Sequence, residues 1–465
     1  MNSTIPTDVF DNFKYSGLGQ IRFDNEDSLD VRFEISLLNN GIIIGSIKFI
    51  TFDFRTGNHI QNNDSFVLEG VEERHSSTVV ATGCKAIKYS SSTDFTNSSV
   101  HESATFTAFE LNMKYKNSDT IETDKLILEF GIMNVHNVLH GASVNTNLGI
   151  LELSNYVNIK ERQDLMSIYH TPLITSNISL STDSNTDRKS LDKLVDEGIK
   201  IVDDFLKITS FFQTTWHEWV FVIANAVSYD KTNKLLRPLS IRMITPKSKP
   251  PYFRMIVDSF SFGTHVNEAW EKHTHLINER YGYDYALEWY IESNSGRIFE
   301  TEFLNACTCL ELLMGRFHAF NKTEFIIDDN NFRHFYDEMK KYANKKLTKA
   351  GIDPKSRSSI YSSMKNMQRR SFVDKVEMML KYWGIEYSDL EVTLKEIVKI
   401  RNDITHRGKY YGPQGLDELA RIYNGLFNIL TRVFLALLGF KGEYYDTPNS
   451  RWIKFEEVCT KYKTE

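Results

Sequence analysis

Residues 390–412, LEVTLKEIVKIRNDITHRGKYYG, decide the helical part of the fold. The stretch predicts a single helix whose N-cap is Ser388, with Glu391 three residues later in the spacing of a capping box. Stop signals follow at Gly408, Gly412 and Pro413. From residue 389 to residue 407 such a helix is about 28 Å long, at roughly 1.5 Å per residue.

One arginine is placed against the polarity pattern of this helix. A narrow apolar face is formed by Leu390, Leu394, Ile397 and Ile404. At about 100° per residue, Arg401 falls in the middle of that face, where a guanidinium is costly unless it is paired. Asn402 and His406 are four residues apart and neighbour each other on a flank. The pattern favours a functional arginine–histidine pair; the alternative is a surface arginine and histidine at a frayed helix end.

The hexapeptide RNDITH at residues 401–406 resembles the signature of the HEPN ribonucleases, R-x4-H with a polar residue after the arginine. The surrounding layout is similar to that of the ApeA-like HEPN proteins, a bacterial anti-phage family acting by abortive infection, in detail over about residues 265–440. The resemblance implies catalytic roles for Arg401, Asn402 and His406. It also implies a homodimer or higher homo-oligomer, with one site built from two motifs, and tRNA as the leading substrate.

The chemistry that these residue types support is RNA cleavage by the neighbouring 2′-hydroxyl. Histidine can act as base or acid near neutral pH, and arginine can stabilise the charge on the phosphate. The resemblance implies a route without metal or cofactor that leaves a 2′,3′-cyclic phosphate. Glu311 is the candidate partner of Arg401; pairing of Glu311 with Arg316 or solvent is the alternative. Because Arg401 and His406 are about 140° apart on an ideal helix, we expect the last turn to unwind or the arginine to bend.

A basic segment stands out in a chain whose formal net charge is -6. Residues 340–375 hold eleven lysines or arginines and two aspartates, so the segment is +9 and the remainder -15. This contrast indicates a local polyanion site, and beside the R-x4-H motif it favours RNA. A solvated charged face is the alternative. The candidate RNA-binding residues are Lys365, Arg369, Arg370, Lys375 and Arg407.

The N-terminal 170 residues predict an antiparallel β-rich domain, a sandwich or a barrel. Apolar and polar residues alternate over residues 29–36, and Asn40-Gly41 marks a tight hairpin turn. Further strands are expected at 42–52, 78–82, 104–115 and 125–133. Residues 89–103 predict a Ser/Thr-rich loop, and residues 174–187 a connector.

The rest of the chain predicts mainly helices. A helix at 189–212 and strands at 216–224 and 235–244 suggest a small α+β segment at about 175–265, belonging to the N-terminal region. Residues 266–465 are expected to form an all-α HEPN bundle, with helices at 267–289, 297–318, 371–383 and 413–438 besides the one carrying Arg401. Cys307 and Cys309 are interpreted as packing residues. The predicted fold class is multidomain α+β, an antiparallel β-rich N-terminal part followed by a C-terminal helical bundle.

Composition excludes several classes of protein. The chain is 41% hydrophobic and 25% charged, as in ordinary soluble proteins, and no apolar run approaches 18 residues. It shows no secretory signal, and its four cysteines are scattered, so we expect a cytoplasmic protein without a zinc site. P-loop, zinc-hydrolase and nucleophile-elbow motifs are absent from the sequence, which gives no support to an NTP-driven or hydrolase function.

The leading functional hypothesis is an endoribonuclease of anti-phage defence. The N-terminal region would be its sensor and regulator, responding to an unknown phage-derived trigger. A second hypothesis is a catalytically inactive HEPN module that binds RNA or a partner protein. A third is a β domain that binds a ligand or carbohydrate, with the helices as an oligomerisation stalk.

Overall fold

The computed structural model describes residues 5–23, 28–50, 64–94, 99–116, 118, 125–136, 138–156, 159–169, 171–182, 190–230, 233–247, 253–273, 275–296, 298–410, 412 and 415–460. The chain divides into two compact units, Met1–Trp270 and Glu271–Glu465. A large antiparallel sheet forms the first and helices dominate the second, which confirms the multidomain α+β class. Within the described ranges, no helix is both long and apolar enough to cross a membrane.

An antiparallel sheet is the framework of the first unit, and thirteen of its strands lie in the described residues. Its strands are β1 (Val9–Phe23), β2 (Leu29–Leu38), β3 (Ile43–Phe49), β4 (Phe66–Glu72), β5 (Thr78–Asp94), β6 (Ser99–Ala108), β7 (Glu110–Lys114), β8 (Leu126–Met133), β9 (Ser143–Asn145), β10 (Gly149–Asn155), β11 (Ile174–Thr182), β12 (Trp219–Asp230) and β13 (Asn233–Ile244). They are ordered β4-β1-β2-β3-β6-β5-β7-β13-β12-β8-β11-β10-β9.

Six of these strands close into a barrel, because β4 pairs with β1 on one side and with β5 on the other. Alternation in β2 determines which side chains face inward: Val31, Phe33 and Ile35 are buried in the barrel core. The predicted turn between β2 and β3 is confirmed. Gly41 has φ +78° and donates its N–H to the Leu38 carbonyl at 2.9 Å.

The remaining strands extend the sheet from β7 to β9, and α1 (Ile159–Tyr169) and α2 (Leu191–Gln213) connect them. Gly198 lets α2 approach the sheet closely, since a Cβ there would lie 2.3 Å from Leu128 Cδ1. Strands β12 and β13, from the segment predicted at 175–265, belong to this sheet. The two central residues of their connecting turn, 231 and 232, lie outside the described residues.

Two predicted irregular segments are strands. The connector predicted at 174–187 is wrong for its first nine residues, which form β11 between β8 and β10. Polar Ser176 and Thr182 face inward together with Ile178 and Leu180. Because these inward residues are not all apolar, the sequence lacks the apolar–polar alternation that indicates a strand. Residues 183–187 lie outside the described residues.

The loop predicted at 89–103 is also wrong. Its arms pair as a hairpin from Ser90↔Ser103 to Asp94↔Ser99. Ser91 and Ser92 are exposed, so this part of the hairpin carries no apolar face for a periodicity argument to detect. Residues 95–98, at the tip, lie outside the described residues.

The described helices from residue 262 onward are α3 (Phe262–Lys272), α4 (His275–Tyr281), α5 (Tyr283–Glu292), α6 (Phe299–Asn321), α7 (Asp329–Lys349), α8 (Pro354–Lys365), α9 (Phe372–Trp383), α10 (Leu394–Arg407), α11 (Leu416–Leu437) and α12 (Phe455–Val458). A short hairpin of β14 (Glu443–Asp446) and β15 (Arg451–Lys454) follows α11. The single helix predicted at 267–289 is divided among α3, α4 and α5, with Gly282 at φ +64° immediately before α5.

Helix α6 is central to the second unit and packs against α4, α5, α9, α10 and α11. Its predicted apolar stripe is confirmed by the burial of Phe303, Leu310, Leu313 and Phe317. Cys307 and Cys309 are buried in the same helix, which confirms their packing role. Helices α7 and α8 carry most of the basic segment and form a pair between α6 and α9 in the chain.

Candidate functional site

Helix α10 presents the RNDITH motif and begins later than predicted. Its N-cap is Thr393, whose hydroxyl accepts from the Glu396 N–H at 3.2 Å, while the Glu396 carboxylate accepts from the Thr393 N–H at 2.7 Å. The predicted N-cap Ser388 instead starts a single 3₁₀ turn, and Glu391 has φ +50°. The sequence holds two successive capping patterns, Ser388 to Glu391 and Thr393 to Glu396, and the second is the one that caps α10.

Arg401 extends from α10 to α6. Its Nη2 lies 2.8 Å from Glu311 Oε1, and its Nη1 donates to Asn402 Oδ1 at 3.1 Å. The predicted Arg401–Glu311 ion pair is therefore present. The predicted burial of Arg401 is wrong, because its side chain is 41% exposed and that of Glu311 36%. Ile400, which the predicted stripe omitted, occupies the buried face at this level.

A cavity of about 320 Å³ lies beside this ion pair. Its lining is polar at Glu311, Arg401 and Asn402, and otherwise consists of Cys307, Met314, Phe372, Ile397 and Val398. Burial raises the pKa of the Cys307 thiol, and the Glu311 carboxylate raises it further, so this cysteine stays protonated. The site thus joins a half-exposed guanidinium to an apolar pocket.

His406 is exposed on the last turn of α10 and is not among the residues that line the cavity. Of the two alternatives, unwinding of this turn or bending of the arginine side chain, the first is not found, since α10 continues to Arg407 and ends at Gly408 with φ +72°. An intact helix places Arg401 and His406 about 140° apart around its axis. The structure therefore brings Arg401, Asn402 and Glu311 together, while His406 lies on another side of the same helix. Pro413, a predicted stop signal, lies outside the described residues.

Several candidate RNA-binding residues also have structural contacts. Lys375 Nζ lies 3.6 Å and Arg369 Nε 4.0 Å from Glu324 Oε1, and Arg370 Nε donates to the Thr323 carbonyl at 3.1 Å. Lys375 is only 15% exposed. Through these contacts, residues 323 and 324, which follow α6, are connected to the region where α9 begins.

The other two candidate RNA-binding residues, Lys365 and Arg407, do not take part in these contacts with residues 323 and 324. Lys365 Nζ lies 5.8 Å from the centre of the Tyr336 ring, and Arg407 Nη2 lies 3.9 Å from Asp403 Oδ1 with its side chain 62% exposed. The lysines of α7 and α8 at 340, 341, 345, 346, 349 and 355 are exposed. The basic surface therefore lies mainly on the α7–α8 pair.

The cavity walls were missed from the sequence. Met314 lies three residues after Glu311, and Val398 three residues before Arg401, so helical spacing could have found both. Phe372 comes from α9, which no spacing connects to α10. Only the packing of α9 and α10 brings it to the site.

A second charged cluster, also missed, is buried inside the helical unit. Arg432 on α11 makes a bidentate pair with Asp389, at 2.8 and 2.6 Å, and lies 3.8 Å from the fully buried Asp446. It also donates to the Tyr444 hydroxyl at 2.7 Å. Every charged group in this cluster has a partner, so removal of one member would leave a buried charge without its counter-ion.

In the first unit, the most strongly perturbed histidine is His217. Burial, together with the charge of neighbouring His136, lowers its pKa to about 3. Its ring nitrogens lie 2.8 Å from Thr209 Oγ1 and 3.1 Å from Gln213 Oε1. It is therefore a neutral, hydrogen-bonded core residue. Among the residues that the structure describes, no group of three or more His, Cys, Asp and Glu side chains could hold a metal ion.

A family model matches part of the helical unit. Residues 282–457, less than half of the chain, are similar to the family described as the YopA C-terminal domain. The matched region includes α6, α10 and the Arg432 cluster. No curated protein and no solved structure matches the chain.

Proposed function

We propose that the protein is a metal-independent endoribonuclease, similar to the ApeA-like HEPN enzymes of anti-phage defence, and that Arg401, Asn402 and His406 are its catalytic residues. The observation that supports this most is the position of Arg401 and its contact with Glu311. It lies half exposed at a cavity and is oriented by Glu311 from another helix. These two contacts use two of its five donors, so others can bind a phosphate oxygen.

The proposed reaction needs no group beyond the RNA and protein side chains. A base takes the proton of the 2′-hydroxyl, whose oxygen attacks the adjacent phosphorus. The bond from phosphorus to the 5′-oxygen breaks, and an acid protonates that oxygen. The products are a 2′,3′-cyclic phosphate and a 5′-hydroxyl, and Arg401 stabilises the charge that develops on the phosphate in between.

One chain offers a single exposed histidine in the motif, whereas the reaction uses a base and an acid. We therefore propose a homodimer, or a higher homo-oligomer, in which His406 of each chain supplies one of them. The 140° separation of Arg401 and His406 supports the same arrangement, because Arg401 of one chain could act with His406 of the other. The proposed substrate is cellular RNA, tRNA above all, and the proposed location is the cytoplasm.

Replacing Arg401 with alanine should lower cleavage by about 10²- to 10³-fold, as loss of one charge-stabilising group does in other enzymes. The free energy of unfolding should change by no more than about 1 kcal/mol, because the Arg401–Glu311 pair is half exposed. Glu311 keeps access to solvent, so the loss of Arg401 does not leave a buried carboxylate without a partner. Steady-state cleavage and urea denaturation measure the two effects.

Arg421→Ala is the matched control, since Arg421 pairs with Glu396 at 3.0 Å with both side chains 37% exposed. It should lose similar stability and keep its activity. If Arg421→Ala and Arg401→Ala lose the same activity, Arg401 has no specific role in the reaction.

We further propose that the N-terminal region is the sensor that restrains the nuclease until a phage-derived trigger arrives. The helical unit is compact by itself, from residue 271 onward. Expression of residues 271–465 alone should therefore be toxic to cells and degrade RNA without infection. The same fragment with His406→Ala should be harmless. A folded fragment, verified by circular dichroism, that cleaves nothing while the whole chain does would show that the N-terminal region helps to form the site.

A catalytically inactive module that binds RNA or a partner protein is the second candidate function. The exposed lysines of α7 and α8 favour it, because they provide a polyanion surface without requiring any chemistry at His406. Such a module would bind RNA with strong salt dependence and leave it intact. Wild-type and His406→Ala proteins would then behave alike.

A further inference from the structure

The apolar part of the cavity beside Arg401 has no task in the proposed phosphate chemistry. Phe372, Met314, Ile397 and Val398 line it, and Glu311, Arg401 and Asn402 add polar groups. From this combination we infer that the cavity binds an unpaired nucleobase of the RNA, next to the bond that is cut. The inference rests on the proposed ribonuclease function and specifies what its site recognises.

Size and surface chemistry both fit a single base. A volume of about 320 Å³ is at the small end for ligand pockets, too small for a long or branched ligand. A base has two apolar faces and one polar edge, and proteins that bind single-stranded RNA stack the faces on aromatic side chains. Phe372 is the aromatic ring of this cavity and is partly exposed, as a stacking residue must be.

The polar groups predict which bases are preferred. Ionised Glu311 can only accept hydrogen bonds, and one of its oxygens already pairs with Arg401. Asn402 accepts from Arg401 through its Oδ1, which leaves its amide group as a donor. An acceptor beside a donor matches the edge of adenine or cytosine, where an amino group adjoins a ring nitrogen.

Uracil fits this arrangement less well. Its single ring N–H is flanked by two carbonyl oxygens, which a carboxylate repels, and it has no amino group to donate to Glu311. The cavity should therefore favour adenine and cytosine over uracil. The base would bind in the cavity and the phosphate at Arg401 beside it. Binding of the base therefore also positions the bond to be cut.

Binding of nucleotides to the full-length protein tests the inference without cleavage. The probes are adenosine 5′-monophosphate, uridine 5′-monophosphate and ribose 5-phosphate, with affinities from calorimetry and contacts from saturation-transfer NMR. We expect the adenine nucleotide to bind about 10-fold more tightly than the other two, with its base protons most strongly saturated. Equal affinity for all three probes, or no binding of any, would overturn the inference.

Variants locate the binding in this cavity. Phe372→Ala should weaken adenosine monophosphate binding by about 10-fold, as loss of a stacking ring does. Val398→Trp, which puts a larger side chain into the cavity from its wall, should weaken it as much. Phe320→Ala, which removes a partly exposed phenylalanine elsewhere on α6, is the control and should bind as the wild type does. Unchanged affinity in Phe372→Ala and Val398→Trp would refute the assignment.

Cleavage of random-sequence RNA separates this inference from the proposed function. If cleavage depends on His406, but wild type and Phe372→Ala cut at the same rate and beside the same bases, the base site is wrong and the ribonuclease stands. If adenosine monophosphate binds in the cavity while cleavage does not depend on His406, the ribonuclease is wrong and the base site stands.

Discussion

Replacing His406 with alanine is expected to lower the rate of RNA cleavage by about 10²- to 10⁴-fold, the range that one general acid or base contributes. The fold should be kept, because His406 is exposed at the end of α10 and contributes little packing. A change in the free energy of unfolding within about 0.5 kcal/mol is expected. Cleavage rates and urea denaturation, on the same preparations, measure both quantities.

His334→Ala provides a matched control, since His334 is an exposed histidine on α7 outside the motif. It should cleave RNA at the wild-type rate. If His406→Ala cleaves RNA as fast as His334→Ala does, His406 is not catalytic.

Replacing Arg432 with leucine is expected to lower the free energy of unfolding by about 3–5 kcal/mol, the usual effect of removing one member of a buried ion pair. The variant would leave Asp446, which is fully buried, and Asp389 without their cation. Thermal unfolding, followed by the near-UV signal of the helical unit, should occur about 10 °C lower. Arg421→Ala, on the same helix but with a half-exposed pair, should shift it little.

The effect of Arg432→Leu should depend on pH. Burial alone would raise the pKa of Asp389, but hydrogen bonds and charge from Arg432 outweigh it, and the pKa is lowered. A carboxyl with a lowered pKa in the folded state stabilises the protein above its ordinary pKa of about 4 and loses this effect as the pH falls through the folded value. The difference between wild type and variant should therefore be full at pH 7 and shrink below about pH 4. A difference that grows with acidity would contradict this role of Asp389.

Periodicity predicted the elements that have one apolar face. Helix α6 was found because its apolar residues recur at the helical period of about 3.6 residues. Strand β2 was found because apolar and polar residues alternate along it. Strand β11 was missed because serine and threonine occupy inward positions that the pattern reserves for apolar residues. The outer part of the β5–β6 hairpin was missed because Ser91 and Ser92 are exposed and form no apolar face. In both, pairing with neighbouring strands, rather than local sequence, determines the structure.

The candidate site was only partly predictable. Helix geometry suggested that Glu311 could reach Arg401, because each lies beside the apolar stripe of its own helix. The exposure of the Arg401 side chain was not predictable, since it depends on how α6 and α10 pack. Ile400 lies in the buried position that was expected for Arg401. The predicted start of α10 was wrong because two capping patterns follow one another, and Asp389, inside the first, pairs with Arg432 from α11.

The ends of the cleaved RNA give the most direct measurement of the proposed reaction. Bulk cellular RNA would be incubated with the purified full-length protein in EDTA, and the fragment ends identified chemically. Attack by the 2′-hydroxyl predicts 2′,3′-cyclic phosphate and 5′-hydroxyl ends, formed in EDTA by wild type and not by His406→Ala. Fragments with 3′-hydroxyl and 5′-phosphate ends, or cleavage that EDTA abolishes, would contradict the proposed mechanism.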